Sequence, residues 1–452
     1  MKLRSIQVLR GLAALLVVFF NSRSLEGVAL AVIGLTEQTW TGGAFTNGYA
    51  GVDLFFVISG FIMVYVTDGV RHGAKAAADF LFARATRIYP VWWAFAGFMV
   101  VYIFAAHGMD GVGMASEGLP GLPYLIRSFL LQPQHAFPVL GVGWTLVHEM
   151  HFYVVFTLLM LLPRKWLPGL IGIWGATIIA GTLVGYGVPF ANTYRDLVFY
   201  PMTMEFILGA VAGLAVTSGK LWRTGIVTLA ATLWLAVALC YQGLETRFTL
   251  EWGRVLWFGL PCALLIYGVA GLEARGRIAW LVPATAGLLA ALLIYQMFGL
   301  HEKSPDAIRR DATLLATIVG AIAMMIVLWF GWLLGQGAPG LLLRTQPFFE
   351  GLLKRMVRLG DWSFSLYLVH MIVMSAMRRV FDFLGRADGL APVFRLGSDG
   401  PLDNLAFIAA CLVSSLVSAA LAYNFLERPL IRFFAKAREA MFYRQRDVLE
   451  PA

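Results

Sequence analysis

The sequence has 452 residues, of which 59% are hydrophobic and 13% are charged, and its mean hydropathy is +0.75. Soluble domains carry roughly twice that share of charge, so a soluble globular protein is excluded. The net charge of +9 would suggest a nucleic-acid partner in a soluble protein, but membrane topology explains it better here.

Repeated apolar runs of about 20 residues predict an all-α, polytopic membrane helix bundle. With the N-terminus inside, about two thirds of the 35 Lys and Arg residues lie on the cytoplasmic side, which places both termini there. The start of the chain resembles a signal peptide, but Arg10 within the apolar run favours an uncleaved helix. About twelve helices are predicted, at residues 6–22, 50–67, 88–106, 144–162, 168–190, 199–218, 224–241, 254–272, 277–299, 312–336, 361–381 and 404–426.

The first helix carries two polar residues, Arg10 and Asn21, eleven residues apart in "VLRGLAALLVVFFNSRS". Eleven residues nearly complete three helical turns, so the two side chains share one face about 16 Å apart. Polar groups aligned inside an apolar helix usually mark a path or a site. An amide at position 21, however, neither takes nor gives a proton at neutral pH.

The next two motifs are "GVDLFFVISGF" and "RATRIYP". Asp53 lies at the outer end of the second helix. Its carboxylate either interacts favourably with the helix dipole or binds substrate, and the sequence favours neither role over the other. Ser59 and Gly60 favour close helix packing. Arg84 and Arg87 project from one side of a predicted helix start. They suit bidentate phosphate binding, or they serve as an ordinary positively charged membrane anchor.

Segment 107–143 is rich in Gly and Pro and predicts a re-entrant or interfacial element. It precedes "WTLVHEMHFY", in which Glu149 lies inside an apolar helix, where an acid is costly and therefore a functional candidate. His148 and His151 are three residues apart rather than four, which excludes the zinc-protease motif. Hydrogen bonds at a helix interface are favoured over metal ligation for both.

In "LGDWSFSLYLVH", His370 lies near mid-depth of a helix, where a structural role is more common than catalysis. "NFLERPL" predicts the end of the last helix, with Glu427 in an ion pair, followed by an amphipathic or solvated tail at 430–452. The scattered cysteines are expected to be small core residues rather than ligands or disulfides; they are Cys240, Cys262 and Cys411.

Together and in this order, the motifs resemble the acyltransferase-3 family of bacterial membrane O-acyltransferases, and most of all its exopolysaccharide O-acetyltransferases. The similarity extends from residue 8 to the closing "ERP" at 427–429. It implies one integral-membrane domain over 1–452, with a core of ten helices and an extra helix pair within 277–350.

The resemblance implies transfer of an acetyl group from cytoplasmic acetyl-CoA to a hydroxyl of an extracytoplasmic or lipid-linked polysaccharide, at the bacterial inner membrane. The expected partners are a CoA thioester, a glycan and membrane lipids, without a metal or nucleic acid. By resemblance, the catalytic positions are Asn21, Glu149 and His370; the donor is bound by Arg10, Arg84, Arg87 and Tyr89; and the acceptor is bound by Asp53, Trp144, His148, Tyr153 and Tyr367.

The chain departs from the family pattern at Asn21, where the family has a histidine that acts in catalysis. Asparagine can mimic one imidazole hydrogen bond but has no acid–base chemistry. Three explanations are open: an engineered variant, an inactive natural member, or a member whose base lies elsewhere. The intact motifs favour the first. The competing functions are a transporter for polysaccharide or lipid-linked sugar, with polar residues lining its path, and a non-catalytic family member.

Overall fold

The computed structural model describes residues 3–32, 34, 47–187, 192–240, 250–276, 339–397 and 402–443. Regular structure in these residues is entirely helical, as the sequence predicts. Eight of the described helical segments are long and apolar enough to cross a membrane, and two shorter apolar helices lie at Ala50–Val66 and Thr224–Leu239. The polytopic prediction is therefore confirmed. The predicted helices at 277–299 and 312–336 lie outside the described residues.

The helices are numbered in chain order. They are α1 (Arg4–Val32), α2 (Ala50–Val66), α3 (Ala74–Ala115), α4 (Gly121–Phe129), α5 (Trp144–Leu159), α6 (Leu167–Leu183), α7 (Tyr194–Val198), α8 (Thr203–Thr217), α9 (Thr224–Cys240), α10 (Leu250–Arg254), α11 (Leu260–Ala274), α12 (Pro339–Leu384), α13 (Ala391–Phe394), α14 (Leu402–Ala422) and α15 (Arg428–Phe442). A π-helical turn, Val255–Gly259, joins α10 to α11, and a second, Tyr423–Glu427, joins α14 to α15.

The chain divides into two compact units. The first comprises residues 1–58, 218–363 and 373–416, and the second comprises residues 59–217, 364–372 and 417–452. Each unit is held together by helices that approach closely where glycines or small polar groups face a neighbour.

In the first unit, the N-terminus of α1 is held by a carboxylate from the end of α11. Glu273 accepts hydrogen bonds from the backbone N–H groups of Arg4 and Ser5, at 2.8 and 2.9 Å, and from the Ser5 hydroxyl at 2.5 Å. A carboxylate is favourable here because the first N–H groups of a helix lack intrahelical partners. Further along α1, Gly51 of α2 packs so closely that a Cβ would lie 2.3 Å from the Ala13 carbonyl oxygen.

In the second unit, Gly60 of α2 lies directly against the backbone of α8. A Cβ at Gly60 would lie 1.9 Å from the carbonyl oxygen of Phe206. The Phe206 ring stacks on Phe152 of α5, with ring centroids 4.2 Å apart. The close-packing prediction for Gly60 is confirmed, and the contact fixes α2, α5 and α8 around the motif residues described below.

We expect Gly60→Ala to destabilise the protein by about 2 kcal/mol, since the added methyl group meets backbone rather than a movable side chain. The measurement is thermal unfolding of the purified protein in detergent. The matched control is Gly172→Ala in α6, where nothing lies within 4 Å of the new Cβ and stability should be unchanged or slightly higher. Equal melting temperatures for both variants would contradict the packing described here.

Several helix boundaries differ from the predictions: α1 extends to Val32 rather than to residue 22, and α12 begins at Pro339 rather than at residue 361. Helix α3 begins at Ala74 rather than at residue 88, so "RATRIYP" lies inside a helix and not at its start. The same helix extends across a kink at Gly108 into the segment predicted as a re-entrant or interfacial element, where α4 follows. The last predicted helix does not end at "NFLERPL" but passes through the π-helical turn into α15, and buried Glu427 accepts a 2.5 Å hydrogen bond from Ser365.

Candidate functional site

A basic cavity lies in the second unit between the beginning of α3, the end of α5 and helix α15. Its volume is about 420 Å³. Its charged lining consists of three guanidinium groups, from Arg84, Arg87 and Arg438, against a single carboxylate, Asp79. Guanidinium groups gathered around a cavity provide the directed N–H donors that phosphate groups require.

Helix α15 forms one wall of this basic cavity and is fixed to α3 by an ion pair. Arg438 donates to both oxygens of Asp79, at 2.5 and 2.7 Å, and the Tyr443 hydroxyl donates to Asp79 at 2.7 Å. The hydrogen bond to Asp79 raises the pKa of Tyr443, so its hydroxyl stays protonated. Sequence reasoning missed this wall because Asp79 and Arg438 are 359 positions apart.

A chain of polar side chains leads from the basic cavity to Glu149. The guanidinium of Arg84 lies 5.6 Å above the centre of the Tyr153 ring. The Tyr153 hydroxyl donates a hydrogen bond to Glu149, which also accepts one from Ser59 at 2.9 Å. Tyr153 is only 4% exposed, so an acceptor sugar has no direct access to its side chain, and its expected role in acceptor binding stays a prediction. Instead, it links Arg84 to Glu149.

At the other end of α5, Trp144 and His148 form an aromatic group with Tyr200. The Trp144 and His148 rings meet edge to face at 5.8 Å, and His148 stacks on Tyr200 at 4.5 Å. Gly143 makes this helix start possible, because a Cβ there would lie 2.3 Å from the Trp92 ring. Trp144 and His148 both line a second, smaller cavity.

The central part of α12 packs against the start of α5 through Tyr367. Its hydroxyl lies 2.8 Å from the Thr145 hydroxyl and donates to the Val142 carbonyl at 3.1 Å. His370 is fully buried one turn further on, and its Nδ1 lies 3.1 Å from the Leu366 carbonyl oxygen. The Tyr367 and His370 rings are 5.8 Å apart. These contacts position both residues near the α5 start within the second unit.

Tyr89 lies two residues beyond Arg87 on α3. Its hydroxyl donates to the Leu130 carbonyl at 3.0 Å, which ties α3 to the segment after α4. Tyr89 does not line the basic cavity, so its expected role in donor binding stays a prediction.

The first unit holds the other motif residues. Arg10 and Asn21 are both part-exposed on continuous helix α1, as the spacing predicts, and the Asn21 amide donates to the Val17 carbonyl at 3.0 Å. Asp53 is fully buried and pairs with Arg254, at 2.6 and 3.1 Å. The Arg254 guanidinium also lies 4.8 Å above the Tyr49 ring. Asp53 is thus a partner of Arg254, a residue that the motifs did not indicate.

The described part of the chain contains no group of three or more His, Cys, Asp or Glu side chains that could hold a metal ion.

Comparison with known proteins gives matches consistent with these motifs. Residues 3–282, more than half of the chain, match the acyltransferase domain family. The chain is 37% identical over 180 residues to the exopolysaccharide production protein ExoZ of Rhizobium meliloti (strain 1021), a match that covers 38% of this chain and 52% of that protein. It therefore matches only about half the length of ExoZ.

Two further relatives are more distant. Acyltransferase MdmB of Streptomyces mycarofaciens is 24% identical over 413 residues, covering 87% of this chain and 83% of that protein. Nodulation protein 10 of Rhizobium leguminosarum bv. viciae is 25% identical over 221 residues, covering 45% and 55%. No solved structure matches the chain significantly. With more than half of its residues matched and its motifs in order, the chain belongs to the acyltransferase domain family.

Proposed function

We propose that the protein is an O-acyltransferase of the bacterial inner membrane, which moves an acetyl group from acetyl-CoA to a hydroxyl of a polysaccharide. The observation that carries this proposal is the polar chain that connects the basic cavity to Glu149 through Arg84 and Tyr153. An acid inside an apolar helix is costly and is usually functional. Here it lies within reach of a site suited to a phosphorylated ligand.

The donor would bind with its phosphorylated nucleotide end in the basic cavity. Coenzyme A carries a diphosphate and a 3′-phosphate, so it needs several cations arranged around a recess. Arg84, Arg87 and Arg438 supply three guanidinium groups, and Asp79 offsets one of them. Charge-assisted hydrogen bonds of this kind are roughly twice as strong as neutral ones. The thioester arm would then extend into the helix bundle.

In the proposed reaction, the hydroxyl oxygen of the acceptor bonds to the acetyl carbon and the carbon–sulfur bond of the thioester breaks. The hydroxyl proton passes to a base, and coenzyme A leaves as the thiol after taking up a proton. Glu149, held by Ser59 and Tyr153, is proposed to receive or relay that proton. His370 and Tyr367 are proposed to help orient the acceptor.

The acceptor class rests on the relatives and the motifs. ExoZ is named for exopolysaccharide production, and its match to this chain is the most identical of the three described above. The chain as it stands is proposed to be impaired, because Asn21 occupies the position where the family resemblance places a catalytic histidine. Donor binding needs no group at position 21 to titrate and should remain.

Binding of the donor tests this function without requiring turnover. We expect acetyl-CoA to raise the melting temperature of the purified protein, and Arg84→Ala with Arg87→Ala to weaken its binding about a hundredfold, since two guanidinium–phosphate contacts are lost. The matched control is Arg432→Ala, an exposed arginine on α15 outside the cavity lining, which should bind normally.

The transporter alternative predicts a different pattern. Stabilisation by a sugar, with no response to any CoA thioester, would overturn the proposed function. Equal CoA binding by the double variant and the Arg432→Ala control would remove the basic cavity from donor binding.

A further inference from the structure

The second cavity of the second unit lies at the opposite end of α5 from the basic cavity. Its volume is about 180 Å³. It is lined by Trp144 and His148 at the start of α5, whereas the basic cavity touches Met160 at the end of α5. The two are thus separated by about 24 Å of helix rise, close to the thickness of a bilayer core.

The charge of this second cavity is unlike that of the basic cavity. Among the described residues, its lining contains neither Lys nor Arg and includes one carboxylate, Glu117, at its exposed rim. A phosphorylated or carboxylated ligand would meet no Lys or Arg among these described residues and would be repelled by Glu117. The remaining polar lining consists of amides and imidazoles, from Gln132, Gln134, Asn192, His135 and His148.

One of these lining amides, Gln134, has a buried oxygen without a donor among the described residues. Gln134 is 5% exposed, and its Nε2 donates to the Ser128 hydroxyl at 3.0 Å. Its Oε1 is buried and accepts no hydrogen bond within the described part of the chain. A buried oxygen without a donor is unfavourable, and a small shift of the amide would let a ligand hydroxyl donate to it.

The segment that carries Gln134 is held rigidly. The Ser128 hydroxyl also accepts from the Val139 backbone N–H at 3.2 Å, and the Ser128 carbonyl accepts from the Trp92 indole at 3.1 Å. Tyr124 donates to the Phe137 carbonyl at 3.1 Å, and burial raises the pKa of Tyr124 to about 12, so it remains a donor. The amide is therefore set in place before a ligand arrives, which lowers the entropy cost of binding.

We propose that this second cavity, formed by Gln132, Gln134, Asn192 and Trp144, binds one neutral sugar unit of the acceptor glycan. Amides supply paired donors and acceptors for adjacent hydroxyls, and the part-exposed Trp144 offers an aromatic surface for the ring. The inference rests on the proposed function. It adds that the acceptor unit is uncharged and that it binds in this second cavity. Glu149 lies five residues beyond Trp144 on the same helix, about 7.5 Å along it.

The test is saturation-transfer NMR on the full chain in nanodiscs, with methyl glycosides of glucose, galactose and mannose as probes. We expect at least one neutral glycoside to bind, with hexose phosphates and hexuronates at least about tenfold weaker. Trp144→Leu and Gln134→Leu should each weaken neutral binding about tenfold. Gln134→Leu also removes the hydrogen bond to Ser128 and could disturb the loop. Gln132→Ala and Asn192→Ala change part-exposed side chains and leave that hydrogen bond in place.

Asn424→Ala removes an exposed amide outside the cavity and should bind as the parent does. Neutral binding that survives all four cavity variants, equal binding of charged sugars, or no binding of any probe would each overturn the inference. The sugar unit could belong to a free polysaccharide or to a lipid-linked glycan. Binding of a free oligosaccharide is therefore compared with binding of the same oligosaccharide carrying an alkyl chain, and tighter binding of either one supports the site. Loss of CoA binding with intact glycoside binding would overturn the proposed donor alone.

Discussion

The Asn21→His variant is expected to transfer acetyl groups at least about a hundredfold faster than the chain as it stands, because a positioned base contributes roughly that much or more to proton transfer. Asn21 lies on a continuous, well-formed α1, and its amide already bonds to the Val17 carbonyl. An imidazole fits the same face of the helix and titrates near neutrality. The measurement is thiol release from acetyl-CoA together with ester formation on added polysaccharide, in nanodiscs.

The matched control for this prediction is Asn21→Gln, which keeps an amide and should remain inactive. Equal activity of the parent, the histidine variant and the glutamine control would remove position 21 from the mechanism and leave Glu149 and His370 as candidates. If the histidine variant binds CoA but transfers nothing to any glycan tested, the non-catalytic interpretation is favoured over an impaired enzyme.

The helices were predictable from sequence because apolar runs of membrane length have few alternatives to helix. The boundaries were less so. Hydropathy places the start of the third helix near residue 88. The preceding stretch "AKAAADFLFARATR" is less apolar but rich in alanine, which favours helix, and the helix therefore begins already at Ala74. Pro429 predicts a stop, but the π-helical turn at Tyr423–Glu427 lets the helix continue into α15.

The site was predictable where a costly residue type appears in an apolar helix, as with Glu149, or where charges recur at helical spacing, as with Arg84 and Arg87. Pairings between distant segments were not. Asp53 and Arg254 are separated by 201 positions, and Ser365 and Glu427 by 62. Gln134 gave no signal at all, because an amide in a polar loop becomes informative only once its burial and partners are known.

The Glu149→Gln change is expected to reduce turnover of the Asn21→His protein about a hundredfold or more while leaving CoA binding within about twofold. Glutamine matches the shape of the carboxyl group and can still accept hydrogen bonds from Ser59 and Tyr153, so the packing around α5 is preserved. What it loses is the capacity to take a proton. Single-turnover transfer and CoA titration on the same preparation separate the two effects.

Ser59→Ala provides the structural control for Glu149. It removes one hydrogen bond to the carboxylate, at 2.9 Å, without removing the carboxylate, and should reduce turnover only about fivefold. A purely structural Glu149 would give the opposite ranking, because Ser59→Ala would disturb the packing more than the isosteric Glu149→Gln. A Glu149→Gln protein with full turnover would exclude proton transfer by this acid, and the polar chain from Arg84 would then serve only to hold α3 and α5 together.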